Sequence, residues 1–247
     1  DCVEIEQAYT VALWKKSAEE RIYEILKRGK RVLIVGGTGL YINALIKNFQ
    51  LPIGFVSDEN NPVNEKDLRI ELKNKPLEEL VALLRIQDPL SATHIDIHNP
   101  RRVTRALEVT LKTGKPFVEQ QKQSAPLFDV LHLGMKIDRQ ELRERINTRV
   151  DEMIQNGFIE EVRVLLDKFS GDEKDINNCQ ALQSVGYKEL RYYLNGKMTL
   201  KEAIERIKIT TRQYAKRQIT WFRRDTSIIF VSSIQSASAL IKKFYYI

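Results

Sequence analysis

Apolar residues recur at helical spacing through residues 10–28, where Val11, Leu13, Ala18, Ile22, Ile25 and Leu26 make one stripe. Thr10 can cap that helix and Gly29 can end it. The pattern then changes. Val32-Leu33-Ile34-Val35 is an unbroken apolar run, three of its four residues β-branched, and it predicts a strand buried on both faces of a parallel sheet. Gly36-Gly37-Thr38-Gly39 follows at once, and Leu40–Ile46 returns to helical spacing. Helix, apolar strand, glycine turn and helix in that order are the α/β pattern, in which ligands sit at the C-terminal ends of strands.

Residues 50–64, rich in asparagine and holding prolines and Gly54, predict a linker. Helical spacing fills the stretch from 65 to 122, in pieces at 65–74, 76–86, 100–113 and 116–123 with a short turn at 89–95, and Pro126 marks its exit. A strand is predicted within Phe128–Met135, then helices over 139–156 (capped by Asp138) and 158–168. Gly171–Asn178 reads as a loop and 179–194 as helical around Gly186. A long helix over 199–223, a strand at Ile228–Val231 and a helix at 236–244 complete the chain. The expected architecture is an α/β core in two parts, residues 1–57 and 127–247, interrupted by an all-helical insertion domain over 58–126.

Charge adds a partner class. Among 247 residues, 40 are Lys or Arg against 33 Asp or Glu, a net charge of +7, which favours a polyanion moderately. Two cysteines and three histidines offer neither a disulfide framework nor a zinc site, and His94 and His98 lack the metalloprotease signature between them. No apolar run reaches the length of a membrane helix and the start carries no signal-peptide pattern, so a cytoplasmic protein is expected; a monomer is expected as well.

Three stretches are candidates for chemistry. The turn Gly36-Gly37-Thr38-Gly39 can bring backbone amides and a hydroxyl to an anion, or can serve close packing alone. Arg101, Arg102 and Arg105 crowd the start of a helix, where cations oppose the macrodipole; a phosphate would compensate them, and Glu108 is a structural alternative. Residues 212–224, basic and aromatic with no acidic residue, suit a phosphate backbone with unstacked bases or an ordinary solvated face. Arg145 and Arg149 share one face of the 139–156 helix, among acidic residues able to pair with them.

Taken together these motifs resemble the bacterial-type tRNA dimethylallyltransferases, or tRNA isopentenyltransferases. The matching stretches are Leu33 to Tyr41, Asn99 to Glu108, Asp138-Arg139 through Gly157, Ser184 to Leu190, and Thr211 to Arg223. The resemblance implies transfer of a dimethylallyl group from dimethylallyl diphosphate to the exocyclic amine of the adenosine beside the anticodon, in tRNAs reading codons that begin with U. It implies Mg²⁺, and a P-loop-kinase-like core whose helical insertion grips the anticodon arm.

By the same resemblance Thr38, between Gly36, Gly37 and Gly39, is the catalytic-site threonine near the reacting adenosine and the donor. Arg149, with Arg145 close behind, is the pyrophosphate-binding arginine. Arg69, Arg101, Arg102, Arg105, Gln183, Gly186, Tyr187, Lys188, Lys216, Arg217, Gln218, Trp221 and Arg223 fall in tRNA-contacting segments. Tyr187 and Trp221 are equally candidates for the core.

The family's Gly-rich P-loop and general-base Asp do not appear among these residues, and the resemblance places both upstream of Asp1. Prenylation of free adenine nucleotides and tRNA binding without catalysis are the alternatives. The helical insertion and the long basic segment argue against the former, because a free nucleotide needs no clamp.

Overall fold

A computed structural model describes residues 3–7, 9–51, 62–120, 124–169, 176–177 and 179–246. Most of the expected linker, the end of the 116–123 piece and most of the Gly171–Asn178 loop lie outside the described residues. The fold is α/β with a much reduced sheet, mostly helical, and it divides into two compact units.

The first unit comprises residues 10–36 and 40–129. It holds α1 (Val11–Lys27), α2 (Gly39–Ile46, apart from its first residue), α3 (Pro62–Asn74), α4 (Leu77–Gln87), α5 (Pro89–His94), α6 (Pro100–Thr113) and α7 (Phe117–Gln120). Thr10 caps α1 as expected, its hydroxyl accepting from the Leu13 amide. The unit is organised around α6. Asn99 accepts from the amides of Arg101 and Arg102, Pro100 stands where no amide is needed, and Gly114 turns left-handed to end the helix. Between those caps, Val103, Ala106 and Leu107 pack on Leu72, Leu80 and Leu84 of α3 and α4.

Asp88 is fully buried beneath this core. It accepts from the Ser91 amide at 2.9 Å, the Thr110 hydroxyl at 2.9 Å and the Phe117 amide at 2.8 Å, so one carboxylate caps α5 and ties α6 and α7 to it. Ser91 extends the tie by accepting from the Val118 amide.

The second unit comprises residues 1–9, 37–39 and 130–247. It contains β1 (Leu133–Met135), α8 (Arg139–Gln155), α9 (Phe158–Asp167), a 3₁₀ turn at Ala181–Gln183, α10 (Tyr187–Leu194), α11 (Leu200–Phe222), β2 (Ile229–Val231) and α12 (Ile234–Tyr246). The strands pair in parallel with Leu133 opposite Ile229 and Met135 opposite Val231. Val150, Phe158, Val162, Leu190, Ala203 and Ile207 form the core where α8 to α11 meet. A reciprocal cap starts α11: Thr199 accepts from the Glu202 amide, and Glu202 accepts from Thr199.

Two expectations are corrected. Residues 32–35 do not form a strand: residues 30–38 lack regular structure, and Leu33, Ile34 and Val35 are 82%, 45% and 86% exposed. An apolar run becomes a strand only where backbone partners complete its ladder, and the single sheet among the described residues is the β1–β2 pair. Nor is 179–194 one helix. Gly186 has φ +99°, which separates the 3₁₀ turn from α10.

No helix among the described residues is long and apolar enough to cross a membrane.

Candidate functional site

The glycine turn and the basic C-terminal helix, far apart in sequence, meet in the second unit. Gln218 of α11 donates through Nε2 to the Gly37 carbonyl at 2.9 Å. One turn further along α11, the Trp221 indole lies against Gly39, leaving no space for a β-carbon. Thr38 is the exposed residue between these two grips, immediately before the first turn of α2, where helix amides have no intrahelical partner. Gly37 and Gly39 therefore serve close packing, whereas Gly36 stands in open space, and the packing holds a turn that leaves Thr38 exposed.

The basic stretch divides its labour along α11. Arg212 is turned towards α8 and donates to Asn147 Oδ1 at 2.7 Å. Lys208, one turn earlier, pairs with Asp151 of α8 at 2.7 Å. Arg217 lies over the Tyr214 ring, 5.7 Å from its centre. Lys216 and Arg223 are exposed. Of the two arginines on α8, Arg145 is tied to Glu141 one turn back, while Arg149 is exposed on the same helix. That difference favours Arg149 as the arginine available to a phosphate.

The segment around Gly186 is built for packing at one end and exposure at the other. Gln183 donates to the Ile176 carbonyl at 3.0 Å. The Gly186 amide donates to Glu189 at 2.8 Å, and the Phe158 ring fills the space a β-carbon would take. Tyr187 stacks edge-on against Phe158, ring centres 5.0 Å apart, and its hydroxyl donates to Glu161 at 2.5 Å. Burial, followed by the Glu161 hydrogen bond and charge, pushes that hydroxyl up to about 12. Tyr187 thus spends its ring and its hydroxyl within the fold, while the adjacent Lys188 is exposed. Gly186→Ala combines a positive φ with an occupied β-carbon position. It is expected to cost about 2–3 kcal/mol, read as a lower denaturation midpoint at unchanged m-value.

In the first unit the arginines gather at the start of α6. Arg101 and Arg102 are exposed in its first turn. Arg105 donates to Glu108 Oε2 at 3.2 Å, and Arg69 of α3 meets Glu108 Oε1 at 3.2 Å. The Glu108 side chain is only 7% exposed while that of Arg69 is 63% exposed, so a buried carboxylate holds two arginines whose charge still faces water. The Glu108–Arg105 contact was legible from i,i+3 spacing; the reach to Arg69, on another helix, carried no sequence signal.

The IPP transferase family model matches residues 1–225. The tRNA dimethylallyltransferase of Carboxydothermus hydrogenoformans is 44% identical over 236 residues, which cover 94% of this chain and 73% of that protein. Among solved structures, the full-length tRNA isopentenylpyrophosphate transferase of Bacillus halodurans matches with a TM-score of 0.63 at 33% identity, over 100% of this chain and 76% of its own. A eukaryotic dimethylallyltransferase acting on tRNA matches with a TM-score of 0.75 at 28% identity, over 95% and 60% respectively.

Proposed function

This chain belongs to the IPP transferase family, and on that footing we propose that it transfers a dimethylallyl group from dimethylallyl diphosphate to the exocyclic amine of the adenosine 3′-adjacent to the anticodon, in tRNAs reading codons that begin with U. The observation that carries the reading to particular residues is the double grip of Gln218 and Trp221 on the turn that bears Thr38. A reacting group must be held in place for the amine nitrogen to meet the donor's first carbon, and this turn is fixed from two sides.

In the reaction the carbon–oxygen bond to diphosphate breaks as the carbon–nitrogen bond forms. The diphosphate leaves with the bonding pair, and the amine gives up one proton to a base. Charge develops on the departing diphosphate, and an exposed cation such as Arg149, with Arg145 beside it, stabilises that charge. Thr38 sits near the amine and the donor. An adenosine in an unpaired anticodon loop costs least to flip out of its stack. Arg69, Arg101, Arg102 and Arg105 with the insertion over 58–126, and Lys188, Lys216, Arg217 and Arg223 with the core over 127–247, contact the anticodon arm.

Mg²⁺ belongs to the proposal as an aid to the leaving diphosphate. Among the described residues no group of three or more His, Cys, Asp or Glu side chains converges to hold a metal ion.

Labelled dimethylallyl diphosphate offered with an anticodon stem-loop, and separately with AMP, tests the reading in the whole protein. Label is expected in the stem-loop and not in AMP. Preferential labelling of AMP would overturn the tRNA assignment, and tRNA binding with label in neither would overturn the transfer.

A further inference from the structure

α2 ends in a tight turn. The Phe49 amide reaches back to the Ala44 carbonyl at 2.9 Å and the Asn48 amide to the Leu45 carbonyl at 3.2 Å, and Asn48 takes φ +45°. Glycine fills such a position at the least cost, and asparagine is among the few side chains that tolerate it. Here the side chain is put to use. Asn48 is buried. Its Oδ1 accepts from Lys15 Nζ of α1 at 3.0 Å, its Nδ2 donates to the Ala125 carbonyl at 2.9 Å, and its backbone carbonyl accepts from the Ser124 amide at 3.2 Å. Lys15 is steadied in turn by Glu19 at 2.7 Å.

These partners come from three places in the chain. Lys15 belongs to α1, Asn48 closes α2, and Ser124-Ala125 is the chain on its return from α3 to α7. Asn48 therefore stands both where the chain leaves for those helices and where it comes back. Trp14 and Tyr41, ring centres 5.3 Å apart, join α1 to α2. Among the described residues, the apolar core of α3 to α7 takes nothing from α1 or α2. That core holds the five helices to one another, and the hydrogen bonds at Asn48 tie both ends of their chain to α1 and α2. Hydrogen bonds carry direction, which apolar contact does not.

We propose that Asn48 is a positioning residue for transfer to tRNA: it sets the direction in which α3 to α7 leave α2, and with it how Arg69, Arg101, Arg102 and Arg105 present the anticodon arm. The inference rests on the reading that tRNA is the substrate. α2 begins one residue after Thr38, so one short helix runs from the candidate catalytic turn to this clasp. An arm held by those arginines at a wrong angle still binds, but its adenosine misses the donor. The signature is a loss of turnover with binding retained.

Asn48→Gly in the whole protein provides the test. Glycine keeps the φ and the backbone hydrogen bonds, so folding is spared, and it strips away only the side-chain clasp. With saturating stem-loop, kcat is expected to fall about tenfold, while the Kd for tRNA and the KM for dimethylallyl diphosphate stay within about twofold. Asn48→Asp keeps the acceptor for Lys15 but sets an oxygen against the Ala125 carbonyl, and it should lose at least as much. Spin labels at Glu20→Cys on α1 and Glu79→Cys on α4, both exposed positions, read the clasp without RNA in a Cys2→Ser, Cys179→Ser background. One narrow distance in the parent should broaden in Asn48→Gly. An unchanged distance would overturn the clasp. A broadened distance with wild-type kcat, or with tRNA affinity falling in place of kcat, would overturn the positioning role. Labelled transfer by the wild type separates this claim from the reading beneath it. A wild type without transfer removes the tRNA reading and the role that rests on it, whereas an active wild type with an equally active Asn48→Gly removes the role alone.

Discussion

Replacing Gly39 with alanine is expected to lower dimethylallyl transfer about 100-fold, whereas Gly37→Ala costs less than about tenfold. The two glycines sit two residues apart in the same turn, and the difference lies in what each faces. A β-carbon at Gly39 would come closer than 3.0 Å to three atoms of the Trp221 indole, a rigid ring seated on α11. The indole, 43% exposed, can swing away only by giving up its seat against the turn, so whether ring or turn moves, the hold on Thr38 is lost. At Gly37 the nearest atom is the amide end of Gln218, which swings aside on its own torsions at the loss of one hydrogen bond. Misplacement of a reacting group by about 1 Å is enough for a loss of two orders of magnitude. The check is kcat at saturating tRNA and donor. Gly39→Ala within threefold of wild type would show that the grip does not govern the turn. Thr38→Ala supplies the companion measurement, because it removes the hydroxyl and leaves the grip intact.

Asp88→Ala is expected to destabilise the protein by about 4 kcal/mol, with chemical denaturation as the measurement. The substitution strands two backbone amides and the Thr110 hydroxyl in a dry interior. An unsatisfied buried donor costs about 1–3 kcal/mol, and partial rehydration near Phe117 trims the sum. Asp88→Asn should lose less, since its one oxygen still accepts.

Acid gives the same residue a second readout. Burial alone would raise the Asp88 carboxyl, but the hydrogen bonds from Ser91, Phe117 and Thr110 outweigh it and hold the group below its reference value of 3.8. A depressed folded value means that the stabilisation is fully present above that reference and is lost as pH falls through the lower folded value. Wild type should therefore lose stability faster than Asp88→Asn below pH 3.8. Equal acid slopes would remove Asp88 from the account.

What the sequence revealed in advance was local. Thr10 and Asp138 each cap the helix their position suggested, because a cap needs only the next two or three amides. The misjudged stretches depended on distant partners. Val32–Val35 has the composition of a central strand, and composition cannot supply the neighbouring backbone that makes one. Residues 179–194 read as helical around Gly186, and the Phe158 ring that requires a glycine there lies 28 residues upstream in sequence. The candidate site divides the same way. The glycine turn and the basic stretch were each visible, but their junction, a hydrogen bond spanning 181 residues, was not. Nor could charge alone show which of the two exposed arginines, Arg145 and Arg149, pairs with Glu141.

Glu108 carries a consequence for any alanine scan of the basic surface. Arg69 and Arg105 share its single carboxylate, so deleting either one does two things at once: it removes a cation from the surface and it leaves the buried anion half compensated. A poorer RNA binder obtained that way would confound a lost contact with a loosened helix. Arg69→Ala compared within a Glu108→Gln background removes the second effect, and the difference between the two backgrounds measures how much of the arginine's apparent value to RNA is owed to the carboxylate beneath it.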